Sequence, residues 1–225
     1  MMNNLTLIIP AKYESESLPF FLKEIQKYPC EKIVILKKED IETINSIRNF
    51  RCRILFQKGT GYGNAIIEGI NSTKNEFCCI INADGSMDPK YLEIMLKLCS
   101  DKDMVFASRY LGKESGSDDD NFITLFGNKV FSFLGNLFFS LKISDILFTY
   151  ILAKTNSLKK LNLKSQDFRL CVEIPIKARR NNMIFLSLPS YERPRIGGKK
   201  KVNALRDGFI ILVYMIKLFF NHKEK

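Results

Sequence analysis

Histidine is almost absent from this chain: its 225 residues hold one, His222, among the C-terminal lysines. That excludes Ser-His-Asp and Cys-His nucleophile systems and histidine-rich metal sites, and with them most hydrolase chemistry. The cysteines (30, 52, 78, 79, 99 and 171) show no CxxC spacing, so they are expected as small, reduced core residues of a cytosolic protein. Cys78 and Cys79 should face opposite sides of a strand. No run reaches the roughly 18 to 20 apolar residues of a membrane span, and the start, MMNNLTLIIP, lacks the basic stretch and cleavage site of a signal peptide. A cytoplasmic protein is expected.

What the chain has in excess is positive charge, a formal +11 with a sequence pI of about 9.3. Such a balance calls for an anionic partner, among nucleic acid, anionic lipid and phosphorylated small molecules, although scattered lysines also serve to solvate a surface. With 46% hydrophobic and 26% charged residues, the length suits one α/β domain with a single sizeable core.

Short aliphatic runs recur in the first hundred residues: LTLII (5–9), IVIL (33–36), RILF (53–56) and FCCII (77–81), followed by MVFAS (104–108). Helical spacing follows the first, in Leu18, Phe21, Leu22 and Ile25, and the fourth, from Tyr91 onward behind Pro89. This alternation predicts a mostly parallel sheet with covering helices. Ligands of such sheets bind beyond the carboxyl ends of the strands, which places three loops on one edge: Pro10 to Glu14, Gly59 to Asn64, and Asn82 to Asp88. Asp88 is expected to cap the helix that follows.

After the polar connection KESGSDDDN (113–121) the composition turns rich in Phe and Leu. Residues 126–152 read either as a pair of core helices or as helices lying at a membrane surface, and the apolar stretch 209–220 with its basic end reads as a short helix covering the core or lying in an interface. A domain over 1–205 with a helical appendage over 206–225 is expected.

The stretches IPAKYESESL, GTGYG, NADGS, ASRY (107–110) and RIGGKKK (195–201) occur in an order that resembles family 2 glycosyltransferases of the GT-A fold, most closely the branch of dolichyl-phosphate mannose synthases and bacterial polyprenyl-phosphate glycosyltransferases. The resemblance implies a Rossmann-like α/β fold with membrane-interface helices at the C-terminus. It implies an inverting hexosyltransferase that takes a nucleotide-sugar donor to a lipid phosphate or glycan acceptor, peripherally bound to the cytoplasmic membrane face. A divalent metal, Mg²⁺ or Mn²⁺, would neutralise the departing diphosphate, with Asp84, Asn82 and Ser86 as its ligands. Pro10, Ala11, Glu14, Lys58, Gly61, Asn82, Ala83 and Asp84 match donor-binding positions, and Arg109, Lys129, Arg195 and Lys201 match phosphate-binding basic residues that act with Asp84 in catalysis.

An acceptor phosphate is already ionised and needs cations rather than a base; a hydroxyl acceptor would need a carboxylate, for which Asp167 and Glu173 are the candidates. The chain departs from the family at Asn82 and Tyr13, at Leu36 to Asp40 where relatives carry Asp-Asp-Gly-Ser, and at Phe148 to Ile151 where the polyprenyl branch carries Thr-Gly-Phe-Arg. These departures keep a second reading open, a non-catalytic GT-A scaffold or binding subunit. Nucleic-acid binding ranks third, since no recognition motif accompanies the charge.

Overall fold

The computed structural model describes residues 1–198 and 201–221, so Lys199, Lys200 and His222 lie outside the described residues. Strands β1 (Leu5–Pro10), β2 (Glu31–Leu36), β3 (Arg53–Phe56), β4 (Phe77–Ile80) and β5 (Met104–Ser108) form where the aliphatic runs predict them. A short ribbon pairs β6 (Gly116–Ser117) with β9 (Tyr191–Glu192); β7 (Ile151–Lys154) and β8 (Phe185–Pro189) complete a seven-stranded sheet in the order β3-β2-β1-β4-β7-β5-β8. Only β7 runs antiparallel, between β4 and β5. The expected α/β architecture is met.

Helices cover both faces, because the central strands β1, β4 and β5 are buried on both sides. Beneath one face lie α1 (Leu18–Ile25), α2 (Ile41–Ile47) and α4 (Leu92–Leu98), with Leu18, Phe21, Leu22 and Ile25 buried as their spacing predicts. The other face carries α3 (Tyr62–Ser72), α6 (Thr155–Lys160), α7 (Leu170–Arg180) and part of α8 (Ala204–Phe220). Cys79 packs into the first layer and Cys78 into the second, and all six thiols are free. Burial pushes the Cys78 thiol up to about 12, which makes it inert. Asp88 caps the turn Pro89–Tyr91 by accepting the Lys90 N–H at 2.9 Å.

The segment 126–152 is not a pair of helices. One helix, α5 (Phe122–Phe139), starts at a capping box formed by Asn121 and Thr124 and stops at Ser140, whose φ of 53° is left-handed. A loop then leads into β7, whose Ile151, Leu152 and Ala153 pair with β4. Aliphatic residues serve either element equally, and only a sheet partner decides between them. With 18 residues, α5 is also long and apolar enough to cross a membrane, which counting uninterrupted apolar runs did not anticipate. It is inverted relative to an ordinary surface helix: Asn128, Ser132 and Gly135 are buried, while Phe122, Phe126, Phe133 and Leu137 are exposed.

Helix α8 runs alongside α5 in the same direction. Gly208 lies against the Phe131 ring, and Phe219 meets Phe138 and Phe139 edge-on at 5.3 and 6.1 Å. Its Ile211, Met215 and Leu218 enter the core, while Leu205, Phe209, Val213 and Ile216 are exposed.

Candidate active site

The three predicted loops lie at the carboxyl edge, after β1, β3 and β4. In the first, the Ala11 N–H continues the ladder to the Ile35 carbonyl at 2.8 Å. The buried Glu14 carboxylate accepts Ser17 Oγ and Lys201 Nζ, both at 2.8 Å. Between them Tyr13 takes a left-handed φ of 54°, held by its N–H donating to Asp40 Oδ2 at 2.7 Å, and its ring stands exposed. Asp40 also caps α2 by accepting the Thr43 N–H. So the stretch that departs from the family at 36–40 retains one acid with a structural task.

The second loop is a close-packed joint. Any side chain at Gly61 (φ 94°) or Gly63 would collide with the backbone of Ser165 to Asp167, and Asn64 bonds Gln166 through both its backbone and side chain, at 3.0 and 2.7 Å. Lys58 is exposed; its backbone N–H and that of Gly59 are held by the Glu68 carboxylate. The joint brings Asp167 beside the site's edge, where Arg169 and backbone hydrogen bonds outweigh burial and hold its carboxyl low. Glu173 is elsewhere. Fully buried, it bonds Lys177 at 2.9 Å and the N–H groups of Lys164 and Ser165, so it is a structural anchor and not a candidate base.

The third loop, Asn82 to Asp88, is gripped by the segment Ser190 to Gly198, which lies across it as a strap. Arg193 N–H donates to the Ser86 carbonyl and Ile196 N–H to the Asp84 carbonyl, each at 2.8 Å. The Arg193 guanidinium joins the Gly85 carbonyl to Glu24, 2.8 and 3.0 Å away. Gly85 has φ of 76°, and a Cβ there would collide with Ile196, so glycine is required both by conformation and by the strap. Asp84 Oδ1 accepts the Ser86 N–H at 3.1 Å, and Oδ2 lies 3.6 Å from Arg195 Nη1. Arg195 is anchored in turn on Asp119, with Nη2 at 3.1 Å and Nε at 3.4 Å.

Arg109 is not at this surface. Its guanidinium is buried against Asp145 (2.7 and 3.0 Å) and Glu192 (3.1 Å), with Asp120 at 3.8 Å and the Phe148 ring 4.5 Å away. Burial works to lower its pKa, and the Asp145 and Glu192 charges more than reverse this. Every face is taken by carboxylate or ring, so the expected phosphate contact is replaced by a hub that ties β5, the 117–121 loop and the foot of the strap together. Lys129 does not join it: exposed on α5, it has no hydrogen bond or ion pair among the described residues, while its neighbour Asn128 donates to Tyr110 Oη at 2.8 Å.

These features find counterparts among known proteins. Residues 6–161, more than half the chain, match the family model "Glycosyl transferase family 2". The chain belongs to this glycosyltransferase family. An uncharacterized glycosyltransferase of Mycobacterium tuberculosis is 24% identical over 209 residues, 92% of this chain and 94% of that protein. Glucosyl-3-phosphoglycerate synthase from M. tuberculosis, solved with Mn²⁺, UDP and glucosyl-3-phosphoglycerate, superposes with a TM-score of 0.73 at 10% identity, covering 95% of this chain and 78% of that one. Mannosyl-3-phosphoglycerate synthase from Rubrobacter xylanophilus gives 0.66 at 13% identity, over 95% and 71%. The fold is therefore GT-A, and the expected nucleotide-sugar-dependent glycosyltransferase stands at the level of the family.

As a member of family 2, the chain has an unusual donor set for a divalent cation. Asp84 is the sole carboxylate of the NADGS stretch, and Asp88 after it is committed to its cap. Asn82 Oδ1 already accepts Tyr62 Oη–H at 2.8 Å; Tyr62 is half-buried, stacks on Phe168 and shares a 2.6 Å hydrogen bond with Thr149, which becomes the donor once Tyr62 gives its one proton to Asn82. No group of three His, Cys, Asp or Glu that could hold a metal occurs among the described residues. One carboxylate and a hydroxyl at Ser86 fit a metal that arrives with a diphosphate supplying its other oxygens, and do not fit one held by the protein alone.

Sequence reasoning missed Asp119, Tyr62 and Arg193. The run Asp118, Asp119, Asp120 passed as a polar connection, yet its members bind Tyr191, Arg195 and Tyr110 in turn. Only the return of the chain some 75 residues later gives Asp118 and Asp119 their partners. A cleft of about 1140 Å³ lies at the opposite end of the strands and holds none of the motif residues.

Proposed function

We propose that the protein moves a hexose from a nucleoside diphosphate sugar to an acceptor that carries a phosphate, with inversion. The donor's diphosphate lies at Asp84, and the bond from its oxygen to the anomeric carbon breaks with the electron pair leaving on the diphosphate. An acceptor phosphate oxygen forms the new bond from the opposite face; ionised at neutral pH, it has no proton to lose. A divalent cation bound with the donor would be held by Asp84 and Ser86 and would neutralise the leaving charge. Pro10, Ala11 and Glu14 line the donor side, where the exposed Tyr13 ring offers a base a surface to stack on. The carrying observation is that the Asp84 carboxylate lies 3.6 Å from a strap arginine at the strand edge, beside the Glu14–Lys201 and Asp119–Arg195 pairs.

The acceptor we favour is a lipid phosphate, reached at a membrane surface by a peripheral protein. In support, α5 and α8 both start beside the strap, and their outward faces are apolar from the first turn: Phe122 is 81% and Leu205 80% exposed. Each basic residue near anionic lipid adds about 1 kcal/mol. The structural neighbours argue for weighing a second source, since one of them was solved with Mn²⁺, UDP-glucose and phosphoglyceric acid. Both carry a phosphate, but phosphoglycerate offers a hydroxyl as the nucleophile, whose proton would pass to the Asp167 carboxylate, so turnover with a polyprenyl phosphate and with phosphoglycerate separates them. Because Ile211, Met215 and Leu218 are core residues, truncating α8 would confound folding with binding; Leu205→Glu with Phe209→Glu is the cleaner change, and unchanged sedimentation with anionic vesicles would remove the membrane from the proposal.

The donor site is tested by thermal unfolding with UDP, GDP, CDP and dTDP, with and without Mn²⁺. A nucleotide at about 100 times its dissociation constant stabilises by about 2.7 kcal/mol, a shift of several degrees. One nucleotide should shift the wild type, and turnover should vanish in Asp84→Ala. If none shifts it, the scaffold reading, favoured by Asn82 in place of an acid, takes over.

A further inference from the structure

Two facts about the turn belong together. The position that carries the first acid in relatives holds Asn82, whose oxygen is occupied by Tyr62 and whose amide nitrogen has no partner among the described residues. On the other side of Asp84 stands a guanidinium. Where two acids would create a cation site, this chain has one acid, one hydrogen-bond donor and one permanent cation.

That cation is fixed before any ligand arrives. Asp119 takes the Nε and Nη2 edge of Arg195, which aligns the plane and leaves Nη1 turned to Asp84. The backbone is pinned on both sides of Arg195, by Arg193 N–H on Ser86 and Ile196 N–H on Asp84. Arg193 itself is clamped by Glu24 and Gly85. A guanidinium held this way binds a diphosphate oxygen without first losing side-chain freedom, and its planar fork suits phosphate. Electrostatic stabilisation of a leaving group is effective in proportion to such prior fixing.

We propose that Arg195, positioned by Asp119, binds the donor's diphosphate and carries part of the neutralisation that a second acid would have handed to a divalent metal. It follows that nucleoside diphosphate binds this protein without metal. This rests on the donor site lying at Asp84 and reassigns Arg195, expected from the sequence as a catalytic phosphate-binding residue, to the donor's diphosphate. Lys201, 2.8 Å from Glu14, remains the cation for an incoming acceptor.

The experiment is calorimetric titration of UDP, GDP, CDP and dTDP into wild type, Arg195→Gln, Arg195→Lys, Asp119→Ala and Asp84→Asn, each in EDTA and in Mn²⁺. Wild type should bind one nucleotide in EDTA within about tenfold of its affinity in Mn²⁺, and Arg195→Gln should lose about tenfold or more in EDTA, the low end for a hydrogen bond to a charged group. Arg195→Lys should recover part of the loss. Asp84→Asn should bind more tightly in EDTA, where a repelling charge is gone, and more weakly in Mn²⁺. Asp119→Ala should bind more weakly in EDTA although it removes a negative charge, a sign that simple electrostatics does not give.

If wild type binds only with Mn²⁺, or Arg195→Gln binds in EDTA as tightly as wild type, the inference is overturned while the donor site stands. Tighter binding by Asp119→Ala overturns its positioning role. Absence of binding in both conditions removes the donor site, and this inference with it.

Discussion

Arg109 and Arg195 occur in motifs of equal standing, and their surroundings could hardly differ more. Arg109 lies among Asp145, Glu192 and Asp120 with aromatic rings on its faces, and its side chain is 9% exposed. Arg195 has one anchoring carboxylate and one it only approaches, and its side chain is 23% exposed. A saturated, buried guanidinium has nothing left to give a ligand, and removing it leaves several carboxylates without a counter-charge. An arginine anchored along one edge keeps the other edge for chemistry. Location within a motif does not separate the two; the number of carboxylates around each does.

The comparison breaks most visibly in stability. Arg109→Met should cost about 3 to 5 kcal/mol, a drop on the order of 10 °C in the unfolding midpoint, because Asp145 and Glu192 stay buried. A midpoint within 2 °C of wild type would show the hub to be solvated and the contrast false. The buried Glu173–Lys177 pair is a second instance of the saturated kind. Burial raises the Glu173 pKa, but Lys177 and two backbone N–H groups overcome this and hold it below the ordinary carboxylate range. Its contribution is therefore complete above that range and is lost as pH falls through the lowered value. Glu173→Gln should cost about 3 kcal/mol at neutral pH, by leaving Lys177 unpaired, and should flatten the acid limb of the stability–pH curve. An acid limb as steep as that of wild type would place the titrating group elsewhere.

Smaller effects test the open member. Gly85→Ala forces a side chain into a left-handed backbone and against Ile196; a loss of about 1 to 3 kcal/mol is expected, with nucleotide affinity falling because the strap lifts. Normal affinity in that variant would mean that the strap does not hold Arg195 for the donor. Arg195→Gln in the ligand-free protein should change stability by about 1 kcal/mol or less, as half-open pairs do, and that small change should shrink further in high salt. A loss as large as that of Arg109→Met would make Arg195 another structural arginine.

Much of the fold was legible because its signals are local. Five aliphatic runs became five strands, the spacing of Leu18 to Ile25 became a buried helix face, and Asp88 before Pro89 became a cap. β7 was not legible: its residues, embedded in a Phe- and Leu-rich stretch, are a strand only because β4 and β5 offer edges on both sides. At the site, the positions of the three loops followed from strand order. The destinations of Arg109, Arg195 and Glu173 did not, since each depends on carboxylates or amides from other segments.

The sequence by itself determined the α/β class, the edge on which the loops gather and the family to which the chain belongs, because hydrophobic period and motif order are carried by neighbouring residues. Only the tertiary structure decided which arginine is sealed in a hub and which faces Asp84, that Asn82 answers to Tyr62, and that α5 turns its apolar side outward beside α8. Those outcomes depend on long-range burial and charge pairing, and no window of sequence contains both partners.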